Sequence, residues 1–402
     1  MSAARQMALG AFLMATGHHL AGWRHPHAHA GGGLDIEHYR ALARSAERGC
    51  FDAIFLSDTL AMLPGHLDAL SRMARTEHFE PLTLLAYLAV ATCRIGLVAT
   101  VTSSYNNPAD VASTFASLEA LSGGRSGWNL VTSSNAREAG NFGRERHYEH
   151  ACRYRLAEGF LQRVRLDWRR RGVAPVQVLA GASESGKQLA ARYAELLFTA
   201  QPERAGAQAF YRDIKSRLAR LGRDPASLKI MPGVLPILGA SRAQAEERRA
   251  QLCELVQPAV GLSLLSDVAG GFDLSPFPLD GPLPDLPPTE SGVSRQHLLL
   301  DLARREGLSI RQLYQRIADA RGHRVVSGTA VDIADQLQDW FESDAADGFN
   351  IMPPHLPGGL DDFVDQVVPE LQRRGLFRHR YQGRTLRDHL GLAHSKEIAP
   401  YA

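Results

Sequence analysis

Short apolar runs alternate along almost the whole chain with longer stretches whose apolar positions recur every three to four residues. The runs read as strands buried on both faces, and the longer stretches read as amphipathic helices. Strands are predicted at residues 8–15, 51–56, 94–100, around Trp128, 176–179, 196–198, 228–238 and 348–352. Helices are predicted at 36–48, 82–91, from Pro108, at about 147–168, 184–193, around 210–220, 241–256, 295–305, 309–321, 332–342 and 360–374. Pro232-Gly233 predicts a break in the seventh strand, and the Pro-, Gly- and Asp-rich residues 270–288 predict a long surface excursion. Strands alternating with helices in this way predict an α/β fold, a (β/α)8 TIM barrel rather than an open doubly wound sheet. Gly31-Gly32-Gly33 lacks the spacing of the dinucleotide turn that an open sheet carries after its first strand. The chain reads as one domain, 1–402, with an inserted cap over about 258–325.

Composition narrows the class. With 402 residues, 45% of them hydrophobic, the chain can bury a large core. A formal net charge of +2, with arginines dispersed along the chain, points away from nucleic acid and anionic membranes. No stretch approaches the ~20 apolar residues of a membrane span. The apolar residues 7–15 read as a strand rather than a signal peptide. Cys50, Cys93, Cys152 and Cys253 lie far apart, as expected of reduced thiols in a cytoplasmic protein.

In a barrel, chemistry sits just past the carboxyl ends of the strands. Those positions hold Asp58, the segment 100–106 with Thr102, Asn129 with the hydroxyl and amide cluster 132–135, and Ala180-Gly-Ala-Ser-Glu-Ser-Gly186. The last string enters a helix, so Ser183 is either a plain cap or part of a phosphate site. His150 and Tyr154 share one helical face, where they either reach a common ligand or stand in solvent beside Arg153 and Arg155. His25, His27 and His29 have the His-x-His form of barrel metal hydrolases, but Pro26 and the glycines at 31–33 favour a loop. Trp128 reads as core.

The run Ser122-Gly-Gly-Arg-Ser-Gly-Trp-Asn-Leu-Val-Thr-Ser-Ser-Asn135, ending in Asn141-Phe142-Gly143, resembles the signature of flavin-dependent monooxygenases related to bacterial luciferase. It is most similar to the branch of nitrilotriacetate, EDTA and dibenzothiophene-sulfone monooxygenases. Phe51-Asp-Ala-Ile-Phe-Leu-Ser-Asp58, Phe79-Glu-Pro-Leu-Thr-Leu-Leu85, His150-x-x-Arg-Tyr154, Ala180-Gly-Ala-Ser183, Ser327-Gly-Thr329 and Asp347-Gly-Phe-Asn-Ile-Met352 extend the likeness over nearly the whole chain. The resemblance implies a luciferase-like TIM barrel and an enzyme using reduced FMN (FMNH2) and O2 to oxidise a small organic substrate. It also implies a separate NAD(P)H:flavin reductase as partner, a homodimer or homotetramer, and no metal. It assigns Asp58, Thr102, His150, Tyr154 and Ser183 to the flavin, with Asn129 a weaker member, and places His18, His19 and Trp23 on the substrate side. No residue is singled out as general acid or base. Two other readings are a non-catalytic flavin-binding paralogue and a metal-dependent barrel hydrolase.

One departure stands out. Between Trp168 and Pro175 the chain has only Arg-Arg-Arg-Gly-Val-Ala, where the resembling enzymes carry a longer segment. That shortening is expected to open the mouth of the site.

Overall fold

A computed structural model describes residues 5–394 apart from 63–66, 75–76, 134, 136 and 288–292. Ser134 of the hydroxyl cluster and Pro288 at the end of the excursion lie outside the described residues. Nine parallel strands form the sheet: β1 Ala8–Leu13, β2 Ala53–Leu56, β3 Gly96–Thr102, β4 Ser126–Val131, β5 Val176–Ala180, β6 Leu196–Thr199, β7 Lys229–Leu238, β8 Arg324–Gly328 and β9 Gly348–Ile351. β1 to β6 pair in chain order, β6 pairs with β7, β7 with β9, and β9 with β1, closing an eight-stranded barrel. The expected TIM barrel is therefore present, and helices ring it.

Alternation along each strand divides the core. One set of side chains, including Leu9, Leu13, Ile54, Leu97, Trp128, Leu179 and Leu197, packs in the layer beneath the helices. The other set fills the barrel: Phe12, Phe55, Val98, Val178, Phe198, Met231, Leu235 and Met352. Trp128 is fully buried, donates its indole N–H to the Val101 carbonyl at 3.0 Å and packs against Phe115, Phe160 and Trp168, so the core reading holds.

Three expectations need correction. β7 runs unbroken through Pro232-Gly233. Gly233 is there for close approach, since a Cβ would lie 2.4 Å from His323 Nδ1 and 2.7 Å from Met352 Sδ. The strand at 348–351 is the ninth, because β8 pairs with Val234–Leu238, the half of β7 that rises above β6. The helix expected at 360–374 is a relay of Gly358–Asp362, a wide π turn Phe363–Val367 and Val368–Arg373. Pro369 supplies no N–H to a regular ladder there.

At the amino ends of the strands, the helix Leu386–Leu390 plugs the barrel, with Leu386, Leu390 and Leu392 in the interior cluster. Charges here are matched. Glu195 accepts two bonds from Arg387 at 2.8 and 3.0 Å and one from Gln177 N–H at 3.0 Å. Asp52, 1% exposed, accepts from Leu9 N–H at 2.6 Å and pairs with Arg378. Asp347 accepts from Lys215, Tyr211 and the Ile230 N–H at 2.8 to 3.0 Å. A polar cleft of about 670 Å³ opens beside these groups, lined by Arg5, Lys215, Asp347 and Arg378 among others. The short connection from the helix His150–Arg171 into β5 lies at this same end, where Arg387 donates to the Ala174 carbonyl at 2.9 Å. Its remaining residues therefore lie at the end opposite the mouth of the site.

At the opposite end, Leu20 and Ala21 join a third apolar cluster with helices Pro258–Val268, Val293–Glu306 and Ile310–Ala320.

Candidate functional site

Two groups of polar side chains meet at the carboxyl ends of the strands. The first rises from β2 to β5. Thr102, the last residue of β3, is buried with its Oγ1 2.8 Å from Ser133 Oγ, and it accepts from Ser104 N–H at 3.1 Å. Ser133 adopts a left-handed backbone, φ 51°. Its carbonyl accepts from Arg153 and lies 3.0 Å from His147 Nε2, while His147 Nδ1 meets Tyr105 OH at 2.5 Å. The loop after β3, the loop after β4 and the helix His150–Arg171 are thus tied together around one carbonyl.

Next to Arg153 on that helix, Tyr154 reaches the start of the helix Glu184–Tyr193. Ser183 Oγ lies 3.2 Å from Tyr154 OH and accepts from Gly186 N–H at 3.2 Å. Ser183 is therefore a helix cap, and its hydroxyl is exposed beside that of Tyr154. A Cβ on Gly186 would stand 3.1 Å from Ser183 Oγ and 3.2 Å from Tyr154 OH, so any larger residue would press on both hydroxyls. The His150 ring lies 5.0 Å from that of Tyr154, centroid to centroid, and is exposed.

Asn129 sits deeper, two residues below the end of β4. Its Nδ2 donates to Thr100 Oγ1 at 2.9 Å, and its buried Oδ1 has no hydrogen-bond partner among the described residues. Such an oxygen is costly unless a ligand or water meets it. Asp58, past β2, accepts from Thr59 N–H at 2.8 Å and stands 3.5 Å from His78 Nε2, which its hydrogen bond holds above the ordinary histidine pKa. Thr59 and Leu60 are held by Glu138 and Asn141 from the loop after β4. The structure thus brings Thr102, Tyr154 and Ser183 onto one wall, with Asn129 below and Asp58 on the flanking loop.

The second group lies across the mouth, at β1, β8 and β9. His18 is fully buried: Nε2 donates to the Phe12 carbonyl at 2.9 Å, and Nδ1 accepts from Arg321 Nη2 at 3.0 Å. His19, 1% exposed, accepts from Ala21 N–H through Nδ1, so its Nε2 carries the proton toward Asp319 Oδ1 at 3.5 Å. The two histidines placed on the substrate side are thus walled in, while Trp23, in the turn Gly22–Arg24, is partly exposed. His323 stacks on Phe198 with centroids 5.1 Å apart, and burial pushes its pKa down to about 3. His355, stacked on His25 at 3.8 Å, is pushed down to about 3 by the same cause.

The His25 and His27 rings lie 5.5 Å apart, centroid to centroid, and His29 is engaged elsewhere. His25 stacks on His355, and His29 Nε2 meets Asp35 at 2.7 Å. Among the described residues, ligand-like atoms gather at His19, Cys253 and Asp319. There the Nε2 proton of His19 faces Asp319, and the Cys253 thiol, pushed up to about 12 by burial, donates to Asp319 Oδ1 at 3.4 Å. In this structure the His19 and Cys253 side chains both face the Asp319 carboxylate.

Sequence reasoning assigned no site role to His147, Arg153, Arg321 and His323. Arg153 stands within the His150-x-x-Arg-Tyr154 motif, and His147 lies three residues before it. Arg321 and His323 carried no such signal.

The chain matches known proteins over nearly its full length. The luciferase-like monooxygenase family model matches residues 12–347. Nitrilotriacetate monooxygenase component A of Aminobacter aminovorans is 44% identical, with 98% of each chain covered. That alignment runs to 446 positions against 402 residues here, so at least 44 of its positions have no counterpart in this chain. N-acetyl-S-(2-succino)cysteine monooxygenase of Bacillus subtilis is 42% identical, with 99% of each covered. Among solved structures, EDTA monooxygenase from Chelativorans sp. BNC1 superposes with a TM-score of 0.78 at 30% identity, covering 97% of this chain and 99% of that one. The chain belongs to the luciferase-like monooxygenase family.

Proposed function

We propose that this luciferase-like monooxygenase uses reduced FMN, delivered by a separate NAD(P)H:flavin reductase, and O2 to oxidise a small organic substrate. The observation that carries the flavin reading is the pairing of Ser183 Oγ with Tyr154 OH, 3.2 Å apart, at the amino end of the helix Glu184–Tyr193. Two hydroxyls and a helix amino terminus suit a phosphate dianion, which the helix dipole stabilises. Ser183, Tyr154 and the exposed His150 would hold that phosphate. Thr102, Asn129 and Asp58 would meet the more polar parts of the flavin, the unpartnered Asn129 Oδ1 finding its donor there. The bound flavin supplies the electrons that activate O2 for insertion into the substrate.

The chain's own part is placement and exclusion of water. Phe12, Phe55 and Phe198 make an apolar floor, with Phe12 4.7 Å from Phe55 and 5.3 Å from Phe198 between centroids. Burial pushes the His323 pKa down to about 3, so beside that floor the imidazole stays neutral and brings no charge to it. The region 258–325 is taken as a cap over this mouth, the protein as cytoplasmic, and the assembly as a homodimer or homotetramer. The alternative of a non-catalytic paralogue was motivated by the short connection before β5, whose remaining residues lie at the far end of the barrel.

Anaerobic titration with FMNH2 followed by an air pulse tests the reading. Saturable binding, weakened in Ser183→Ala and Tyr154→Phe, and substrate oxidation in the presence of a reductase are expected. Unchanged flavin affinity in both variants would overturn the phosphate assignment.

A further inference from the structure

Asp58 stands on a segment with no ladder of its own. Among the described residues, 58–62 make no backbone-to-backbone hydrogen bond. A stretch of this kind keeps one course only where side chains take up its polar groups. One segment does so here. Asn141 Nδ2 donates to the Leu60 carbonyl at 2.5 Å, and Asn135 Nδ2 donates to the Met62 carbonyl at 3.1 Å. Between them in the chain, Glu138 Oε1 stands 3.4 Å from Thr59 Oγ1. Side chains at every third residue of the loop after β4 therefore grip Thr59, Leu60 and Met62, directly past Asp58.

The gripping segment is itself fixed at both ends. Before it, the Ser133 carbonyl accepts from Arg153 and lies 3.0 Å from His147 Nε2. After it, Phe142 stacks on Tyr105, with centroids 4.7 Å apart and planes 4° from parallel. Asn135, Asn141 and Phe142 are also the closing residues of the signature run. Trp128 and Leu130, near its middle, are core. The two asparagine amides are bonded to the backbone of the loop after β2, so this part of the signature reaches the mouth through that loop.

We propose that Asn135 and Asn141 are positioning residues, which hold Asp58 against the flavin by bonding the Met62 and Leu60 carbonyls. They act through the backbone that carries Asp58 and not by touching the cofactor. This assignment rests on the flavin reading of the same mouth and on the place of Asp58 within it.

The test is a double-mutant cycle read by titration with FMN and with riboflavin, which lacks the phosphate. Asn141→Ala is expected to weaken FMN about three- to tenfold, as the loss of one hydrogen bond does, and riboflavin by the same factor. Tyr154→Phe, at the phosphate cradle, is expected to weaken FMN and spare riboflavin. Asp58→Ala is expected to weaken both ligands, and Asn141→Ala added to it should cost nothing more. Asn135→Ala should follow Asn141→Ala with a smaller effect, its bond being longer. Asn141 is exposed, so its truncation keeps the fold. His78 gives a second readout, because its hydrogen bond to Asp58 holds its pKa above the ordinary 6.5. Its NMR titration is expected to move toward 6.5 in Asn141→Ala. Additive losses in the Asp58→Ala, Asn141→Ala double variant, or an unmoved His78 titration, overturn the proposal. Unchanged affinity in Asp58→Ala overturns the assignment of Asp58 to the flavin, and the proposal with it. Failure of the wild-type protein to bind FMN overturns the flavin reading itself.

Discussion

The two ends of the barrel handle buried polarity in opposite ways. At the amino ends of the strands, Glu195, Asp52 and Asp347 each meet a cation and a backbone or side-chain donor, so burial is balanced by pairing. At the carboxyl ends, buried atoms are left without hydrogen-bond partners among the described residues: Glu138 Oε2, Arg153 Nε, His323 Nδ1 and His355 Nδ1, with Asn129 Oδ1 a little below. The division is a matter of degree, because Gln177 Oε1, Ser343 Oγ and His389 Nδ1 are also unpartnered at the closed end among the described residues. Even so, the contrast teaches where stability is made and where it is given up. Matched charges lock a plug, whereas unmatched ones mark a surface prepared for something else.

The sharpest way to break the contrast is to strike the closed end. Arg387→Ala leaves Glu195 buried and uncompensated, and is expected to cost about 3–5 kcal/mol in urea unfolding. A loss below about 1 kcal/mol would mean the pair is not a stability element. Across the barrel, Tyr154→Phe is expected to weaken FMN binding by about tenfold while moving the unfolding midpoint little, the hydroxyl being partly exposed. Ser183→Ala should match it in affinity and also lose about 1 kcal/mol of stability, because Ser183 caps a helix as well. If both variants lost stability and neither lost affinity, the carboxyl end would be structural too.

A smaller effect follows from Gly186→Ala. Its new methyl would press on Ser183 Oγ and Tyr154 OH at 3.1 and 3.2 Å, and FMN affinity is expected to fall several-fold. Unaltered affinity would show that the cradle can relax.

The smallest effect concerns pH. His323 and His355 have folded pKa values of about 3, against an ordinary 6.5. Between those values the unfolded chain binds more protons than the folded one, so stability is whole above pH 6.5 and falls as pH drops toward 3. His355→Gln is expected to flatten the pH dependence of the urea midpoint between pH 6.5 and 5, whereas Arg387→Ala should leave that slope alone. An equal slope in wild type and His355→Gln would contradict the burial argument.

Much of this was legible beforehand, for local reasons. Parallel strands covered on both faces must be apolar throughout, so β1 to β7 and β9 announced themselves. β8 did not. Arg324-Val-Val-Ser-Gly328 is short and begins with a charge, and it becomes a strand only because β7 outruns β6 and offers an unpaired half. The hydroxyls Thr102, Tyr154 and Ser183 could be named because each stands at a strand end or helix start, positions that a sequence marks. The short 168–175 connection was expected at the mouth because the resembling enzymes are longer there, whereas its remaining residues lie at the closed end, where each helix returns to the start of the next strand.

What the sequence by itself determined is the alternation of elements, the inward and outward faces of the strands and the family signature, all set by neighbours a few residues apart. Only the tertiary structure decided that Arg321 meets His18, 303 residues away, and that Arg387 meets Glu195, 192 residues away. Neither member of these pairs carries a local trace of the other. Their meeting depends on the closure of β9 onto β1 and of a terminal helix into the barrel, and no local segment encodes that closure.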